Sequence, residues 1–292
     1  LRVLYLDLHR AHADCRSIGL TPVVKTVDSR RSLPRPANSD DDSDYFPDKI
    51  RDHILNEPGV AVTYNFSVHK RKVTLHFVEF NKKPTELDMI QMQAHARRVC
   101  ALLHLVSLHA NRTTCSARLS VYIYLTEFEK RFPTQQGQPL DSEHANTGMS
   151  YHCAGTNDVV VYRREEWFKV LIHELFHALG LSFIESDMPR GVDAAMQAML
   201  QKMYAISHPV RIYETYCEIW ARILTVLFDC FADDDSNSNL KGTGTNSNNS
   251  SSSAITELQF QVFMDCAMEG LEANARFARQ QCAKLLRYAD LS

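Results

Sequence analysis

Residues 171–181 read Leu-Ile-His-Glu-Leu-Phe-His-Ala-Leu-Gly-Leu, an apolar stretch interrupted by two histidines and one glutamate. The run of helix-forming apolar residues predicts an α-helix. Residues four apart lie on the same face of a helix, so the rings of His173 and His177 can reach one metal ion. Glu174, beside the first histidine, can then polarise a water on that ion. We therefore expect this stretch to be a metal-binding helix.

The sequence around this motif favours burial of the helix. Within residues 167–181 the only polar side chains are Lys169 and those of the three motif residues. A helix this apolar is buried on most sides, and a buried carboxylate beside two buried imidazoles is costly unless something binds them. The alternative is a pair of core histidines with satisfied hydrogen bonds beside a glutamate in a salt bridge. The spacing and the burial together favour the metal site.

A catalytic zinc ion takes three protein ligands and leaves a fourth position for water. Gly180 extends the motif to His-Glu-x-x-His-x-x-Gly, which is similar to the beginning of the metzincin motif. The metzincin ligand position, three residues after the glycine, is Phe183, which cannot bind zinc. The metzincin assignment is therefore rejected, and the third ligand must come from another segment.

A second helix, predicted over residues 211–231, offers that ligand. Its apolar residues have helical periodicity, and Glu214 and Glu218 lie four residues apart on another stripe. Two like charges at this spacing repel unless a cation or proton donor lies near them. A zinc ion on one carboxylate, and a zinc-bound histidine donating its other ring N–H to the second, would remove the conflict. A solvated helix stripe is the alternative.

His173, Glu174 and His177, followed on a later helix by Glu-x-x-x-Glu, resemble the gluzincin branch of the zincin metallopeptidases, which includes thermolysin-like and lethal-factor-like enzymes. The resemblance covers about residues 117–231. It implies that Glu214 is the third ligand and that Glu218 orients a motif histidine.

The choice between these two glutamates stays open at this point. Tyr213 stands where thermolysin-like enzymes have an asparagine before the ligand glutamate. Glu185 and Asp187 are further candidates for the third ligand.

The resemblance also implies an activity, zinc-dependent hydrolysis of peptide bonds with one Zn²⁺ per chain. Glu174 would be the general base, and His208, Tyr213 and Tyr216 are candidates for stabilising the oxyanion. The alternatives are a catalytically silent binding or structural protein on a zincin scaffold, a processing factor within a larger assembly such as a virus particle, and a metal hydrolase that does not act on peptides.

The fold class expected is α+β. It comprises a zincin-like catalytic domain with a small twisted sheet, a long backing helix, the motif helix and a helical C-terminal part. The edge strand before the motif helix, Val159–Tyr162, is expected to pair with an extended peptide substrate. Alternation predicts strands at Val60–Ser67, Lys72–Phe80, Ala117–Leu125 and Val159–Arg163, and periodicity predicts helices at Thr85–His109, Val192–Ile206, 211–231 and Ile255–Tyr288.

Changes in composition divide the chain into segments. We predict an N-terminal segment (1–29), a flexible linker (30–46), the catalytic domain (47–232), a disordered loop rich in Ser and Asn (233–254) and a C-terminal helix packed on the catalytic domain (255–292).

Composition limits the partners of the protein. A net charge of −3 and a pI of about 6.5 do not suggest a nucleic-acid partner. No apolar run approaches the ~20 residues of a membrane span, and charges near the start argue against a secretory signal. The eight cysteines contain no Cys-x-x-Cys pair. We expect mostly free thiols in a reducing compartment such as the cytoplasm.

Overall fold

A mixed six-stranded sheet is the centre of the fold in the computed structural model, which describes residues 1–36, 46–110, 114–135, 138–182, 192–204, 210–240 and 257–288. Its strands are β1 (Val23–Val27), β2 (Gly59–Val68), β3 (Arg71–Phe80), β4 (Arg118–Tyr124), β5 (Gly148–Ser150) and β6 (Thr156–Val161). Across the sheet the order is β1-β2-β3-β4-β6-β5. The pairs β3–β4 and β4–β6 are parallel and the others antiparallel.

Helices surround this sheet and confirm the α+β class. They are α1 (Arg2–Ser17), α2 (Asp48–Asn56), α3 (Met89–His109), α4 (Ser142–Ala145), α5 (Trp167–Ala178), α6 (Val192–Tyr204), α7 (Ile212–Leu240) and α8 (Glu257–Tyr288). The main hydrophobic core joins one face of the sheet to α1, α3, α5, α7 and the first part of α8. A smaller core on the other face includes Ile50 and Ile54 of α2 and Tyr122 of β4.

The predicted hairpin and long helix are both present. Strands β2 and β3 are joined by a tight turn in which His69 has a φ of 51°. The helix α3 then connects β3 to β4. Because β4 runs parallel to β3, the chain needs a crossover of this kind between the two strands. The helix begins at Met89 rather than at Thr85, because Pro84–Glu86 form a separate 3₁₀ turn and the Asp88 side chain caps the helix.

The N-terminal segment belongs to the same sheet and core. Strand β1 pairs antiparallel with β2, and α1 packs against α3. The buried side chains Tyr5, Leu8 and Ala11 of α1 are part of the main hydrophobic core.

The strand before the motif helix is not an edge strand, so the prediction for Val159–Tyr162 is wrong. Strand β6 lies between β4 and β5. The short strand β5 covers it, with Gly148 opposite Val161 and Ser150 opposite Val159. Among the described strands, the outer edge of the sheet beside the motif helix therefore belongs to β5, a strand of three residues.

The C-terminal helices are close to their predictions, with one correction. Helix α7 was expected to end near Phe231 but continues to Leu240, so residues 233–240 are helical rather than part of a disordered loop. Residues 241–256, which include the rest of that predicted loop, lie outside the described residues, as do residues 37–45 of the predicted linker. Gly270 brings α8 close to α7, since an added Cβ would lie 2.6 Å from Val226 Cγ1.

Half of the cysteines form disulfides, so the prediction of mostly free thiols is wrong for four of them. Cys115 pairs with Cys153, and Cys230 pairs with Cys266. The second pair links α7 to α8. The free cysteines are Cys15, Cys100, Cys217 and Cys282. Because disulfides persist mainly in oxidising environments, the cysteines no longer support the predicted reducing compartment.

Candidate metal centre

A residue with a positive φ flanks the motif helix α5 at each end. Glu166 precedes it in the left-handed conformation, with a φ of 54°. Gly180 follows it with a φ of 66°, and a Cβ there would lie 3.2 Å from Cys115 Sγ. The Cys153 N–H donates to the His177 carbonyl at 3.2 Å, so the disulfide-linked segment caps the last turn. The turn that carries the second motif histidine therefore has a defined position.

Three potential ligand atoms meet between α5 and α7. The Nε2 atoms of His173 and His177 are 3.2 Å apart. Glu214 Oε2 lies 3.1 Å from His173 Nε2 and 3.3 Å from His177 Nε2. Ligand atoms bonded to zinc at about 2.0–2.1 Å in a tetrahedron lie roughly 3.3–3.4 Å from one another. The triangle therefore has close to the dimensions that a zinc ion requires, and its two imidazoles and one carboxylate are ligands that zinc accepts.

Glu214, rather than Glu218, belongs to this cluster. Glu218 lies on the other side of the His173 ring, with its Oε2 3.7 Å from Nδ1. Its Oε1 accepts from Lys169 at 3.1 Å and from Arg222 at 2.8 Å. The gluzincin resemblance implies a ligand at Glu214 and an orienting carboxylate at Glu218, and both roles stay predictions. Within the described residues this is the one group of three or more His, Cys, Asp or Glu residues arranged to hold a metal ion.

The protonation states of the cluster also suit a cation. Burial lowers the pKa of His173, but its interactions with Glu214 and Glu218 outweigh burial and raise the pKa to about 9. Interactions with His173 and His177 lower the pKa of Glu214 well below its ordinary value. Burial raises the pKa of Glu218, but His173 and Lys169 more than offset this and lower it to about 2. Without a metal, a proton on His173 balances the two carboxylates, and a metal ion would replace that proton.

Glu174 is held against strand β5. Its side chain is buried, with an exposed fraction of 9 %. Ser150 Oγ donates to Glu174 Oε2 at 2.7 Å, and it lies 3.1 Å from the Glu174 carbonyl oxygen. Burial raises the pKa of Glu174, against the opposing influence of His173. The carboxylate predicted to be a general base is therefore largely shielded from solvent and has one defined hydrogen-bond donor.

Three further contacts around the cluster were not predicted from the sequence. Ser182 Oγ lies 3.3 Å from His177 Nδ1, where it can orient the second ring. Lys169 and Arg222 hold Glu218 in place. The role of Lys169 could have been suspected from the sequence, since it is the remaining polar side chain of the motif helix. Ser150 and Ser182 belong to no periodic pattern, so the sequence does not indicate their contacts.

The candidates for oxyanion stabilisation are placed differently from one another. The Tyr213 ring stands edge-on to the His177 ring, with 6.2 Å between centroids. The Tyr216 ring packs against Phe176, with 6.2 Å between centroids, and against the main core. His208 lies outside the described residues, as do Glu185 and Asp187. Of the two candidates that the structure describes, Tyr213 is the one placed beside a potential ligand.

Comparisons of the chain with protein-family models, with curated proteins and with solved structures gave no match. Among the residues that the structure describes, no helix combines the length and the apolar character that a membrane span requires.

Proposed function

We propose that this protein is a zinc metallopeptidase of the zincin type, with one zinc ion held by His173, His177 and Glu214. The observation that carries the proposal is the triangle of Nε2, Nε2 and Oε2 atoms, 3.1–3.3 Å apart, with both Nε2 atoms on the helix that also carries the buried carboxylate of Glu174. Core histidines in a salt bridge have no need for three ligand atoms converging on one point. The carboxylate Glu218 behind His173 supports the same assignment.

The proposed chemistry divides between the metal and the protein. When bound, zinc polarises the scissile carbonyl as a Lewis acid and lowers the pKa of a water molecule. Glu174 accepts the proton of the attacking water and later delivers it to the leaving amine. The raised pKa of its buried carboxyl suits both steps, because a group that acts first as a base and then as an acid works best when its pKa lies near the operating pH. Tyr213, beside His177, is our first candidate for the oxyanion donor.

The peptide substrate is proposed to bind in extended form along the outer edge of β5. This replaces the predicted binding along Val159–Tyr162, whose backbone is covered by β5. Among the described strands, β5 is the last of the sheet, and an extended peptide beside it would continue the strand order. Ser150 of β5 contacts Glu174, which places this edge next to the proposed general base.

The proposal is tested by replacing Glu174 with glutamine in the full-length protein. The Glu174→Gln variant should keep one zinc per chain and lose peptide hydrolysis by roughly 10²–10⁴-fold in a peptide-library assay, because the amide cannot accept the proton of water. Glu272→Gln is the matched control, since Glu272 is an exposed residue of α8 that contacts Arg276. A Glu174→Gln variant as active as the wild type would refute the mechanism. Zinc binding without hydrolysis of any peptide by the wild type would instead support the catalytically silent alternative.

A further inference from the structure

The contact between Ser150 and Glu174 joins the edge strand to the motif helix. Strand β5 lies directly over the helix at this point. A Cβ added to Gly148 would lie 2.8 Å from Val170 Cγ1 and 3.1 Å from Glu174 Cγ. Gly148 therefore lets the β5 backbone rest on the methylene groups of Glu174, while Ser150, two residues later on the same face, contacts its carboxylate.

The two oxygens of this carboxylate have different environments. Oε2 accepts the Ser150 hydroxyl at 2.7 Å. Oε1 makes no hydrogen bond with any residue in the described ranges of the chain. A carboxylate fixed through one oxygen in this way presents the other oxygen in a defined direction.

A serine hydroxyl suits a partner that changes its protonation state. It has one proton to donate and lone pairs to accept with. Toward the carboxylate of Glu174 it is a donor, and the short distance is typical of a charge-assisted hydrogen bond. Once Glu174 has taken up a proton on Oε1, Oε2 is the carbonyl oxygen of the acid and still accepts the Ser150 hydroxyl. Both states of Glu174 then have a partner.

We propose that Ser150 is a positioning residue for the general base. It holds Glu174 through Oε2, leaves Oε1 for the attacking water, and keeps the side chain in place after the proton has been taken up. The proton itself moves from water to Glu174 and on to the leaving amine, and Ser150 gains and loses none. This inference rests on the proposed peptidase function and adds a residue to it.

The proposal has a second consequence, for the substrate. The outer backbone of β5 is where we place the extended peptide, and the same strand holds Glu174 through Gly148 and Ser150. A peptide that pairs along β5 and steadies this strand therefore also steadies the base. Substrates that extend along the edge should accordingly have a higher kcat, and not only a lower KM.

Three variants test this role in the zinc-loaded full chain, using the best peptide from the library. Ser150→Ala should lower kcat about 10–100-fold, as loss of supporting contacts at such sites commonly does, with KM and zinc content unchanged. Ser150→Thr retains the hydroxyl and should recover kcat to within a few-fold of the wild type. Ser182→Ala is the contrasting variant, since Ser182 contacts the ligand His177 and should affect zinc affinity.

A structural readout accompanies the kinetics and needs no metal. Crystal structures of the metal-free wild type and Ser150→Thr should show the Glu174 carboxylate in one position, and Ser150→Ala should show it displaced or in several positions. A wild-type kcat in Ser150→Ala, or an unmoved Glu174 in its structure, would overturn the positioning role while leaving the peptidase proposal intact. A Ser150→Ala variant that loses zinc, without rescue by threonine, would mean a merely structural role. A zinc-loaded wild type that hydrolyses no peptide would overturn both proposals.

Discussion

The disulfide between Cys115 and Cys153 should contribute to stability and to the metal centre separately. It closes a loop with a sequence separation of 38 residues. In the chain-entropy model, a loop of that length stabilises the folded state by about 4 kcal/mol at 25 °C. For a protein of 292 residues, this corresponds to a decrease in Tm of roughly 6 °C when the disulfide is removed. We expect the double variant Cys115→Ala/Cys153→Ala to unfold at correspondingly lower denaturant concentration.

The effect on the metal follows from the position of this disulfide. The Cys153 N–H caps the His177 carbonyl, and the Ser116 hydroxyl donates to the Ala178 carbonyl at 2.7 Å. Loosening one such hydrogen bond costs about 1 kcal/mol, which should weaken zinc binding about fivefold. Zinc affinity is measured by competition with a chelating dye.

The second disulfide is a matched control. Cys230 and Cys266 close a loop with a separation of 36 residues, so their removal should also cost about 4 kcal/mol. Cys230 lies roughly 24 Å along α7 from Glu214, given a rise of about 1.5 Å per residue. We expect Cys230→Ala/Cys266→Ala to bind zinc as tightly as the wild type. Equal zinc affinities in the two double variants, or no loss of stability in either, would refute this reasoning.

Two further predictions concern the carboxylates and the histidine of the cluster. Glu218→Gln should weaken zinc binding about 10–100-fold, and Glu214→Gln should weaken it by more. The control Glu166→Gln removes another partner of Lys169 and should change zinc binding little. If a zinc titration gave the reverse order for Glu218→Gln and Glu214→Gln, Glu218 would be the ligand and Glu214 the orienting carboxylate. In the metal-free protein, the pKa of His173 is raised to about 9 from an ordinary 6.5, so its proton stabilises the fold fully below pH 6.5 and this stabilisation is lost as the pH rises through about 9. Zinc competes with that proton, so zinc affinity should increase up to about pH 9 and then level off; an affinity independent of pH between 6 and 9 would contradict this.

Long periodic segments of the chain were predictable because their patterns are local. The apolar run around His173 and His177 specifies the motif helix, and alternation specifies the hairpin of β2 and β3. The repulsion expected between Glu214 and Glu218 pointed to a helix that the structure packs against the motif helix, since two carboxylates four residues apart need a nearby cation or proton donor. The structure supplies these partners in His173, Lys169 and Arg222.

Features that depend on distant or very short segments were not predictable. Strand β5 has three residues, too few for a period of two to be visible in a segment rich in turn formers. Because β5 pairs with β6, the edge strand is β5 rather than β6, and Ser150 contacts Glu174. The partners Cys115 and Cys153 are separated by 38 residues, and spacing alone does not define cysteine pairing. The helical residues 233–240 have the composition of a loop, and they form a helix as the continuation of the buried helix α7.

The most direct test of the account is the metal content and coordination of the full-length protein purified without added metal. Mass spectrometry should find about one zinc per chain, absent from a His173→Ala/His177→Ala double variant. X-ray absorption should show only nitrogen and oxygen neighbours at about 2.0–2.1 Å, with the outer-shell signature of two imidazoles. No tightly bound metal in the wild type, or a sulfur neighbour at about 2.3 Å, would contradict the metal centre formed by His173, His177 and Glu214.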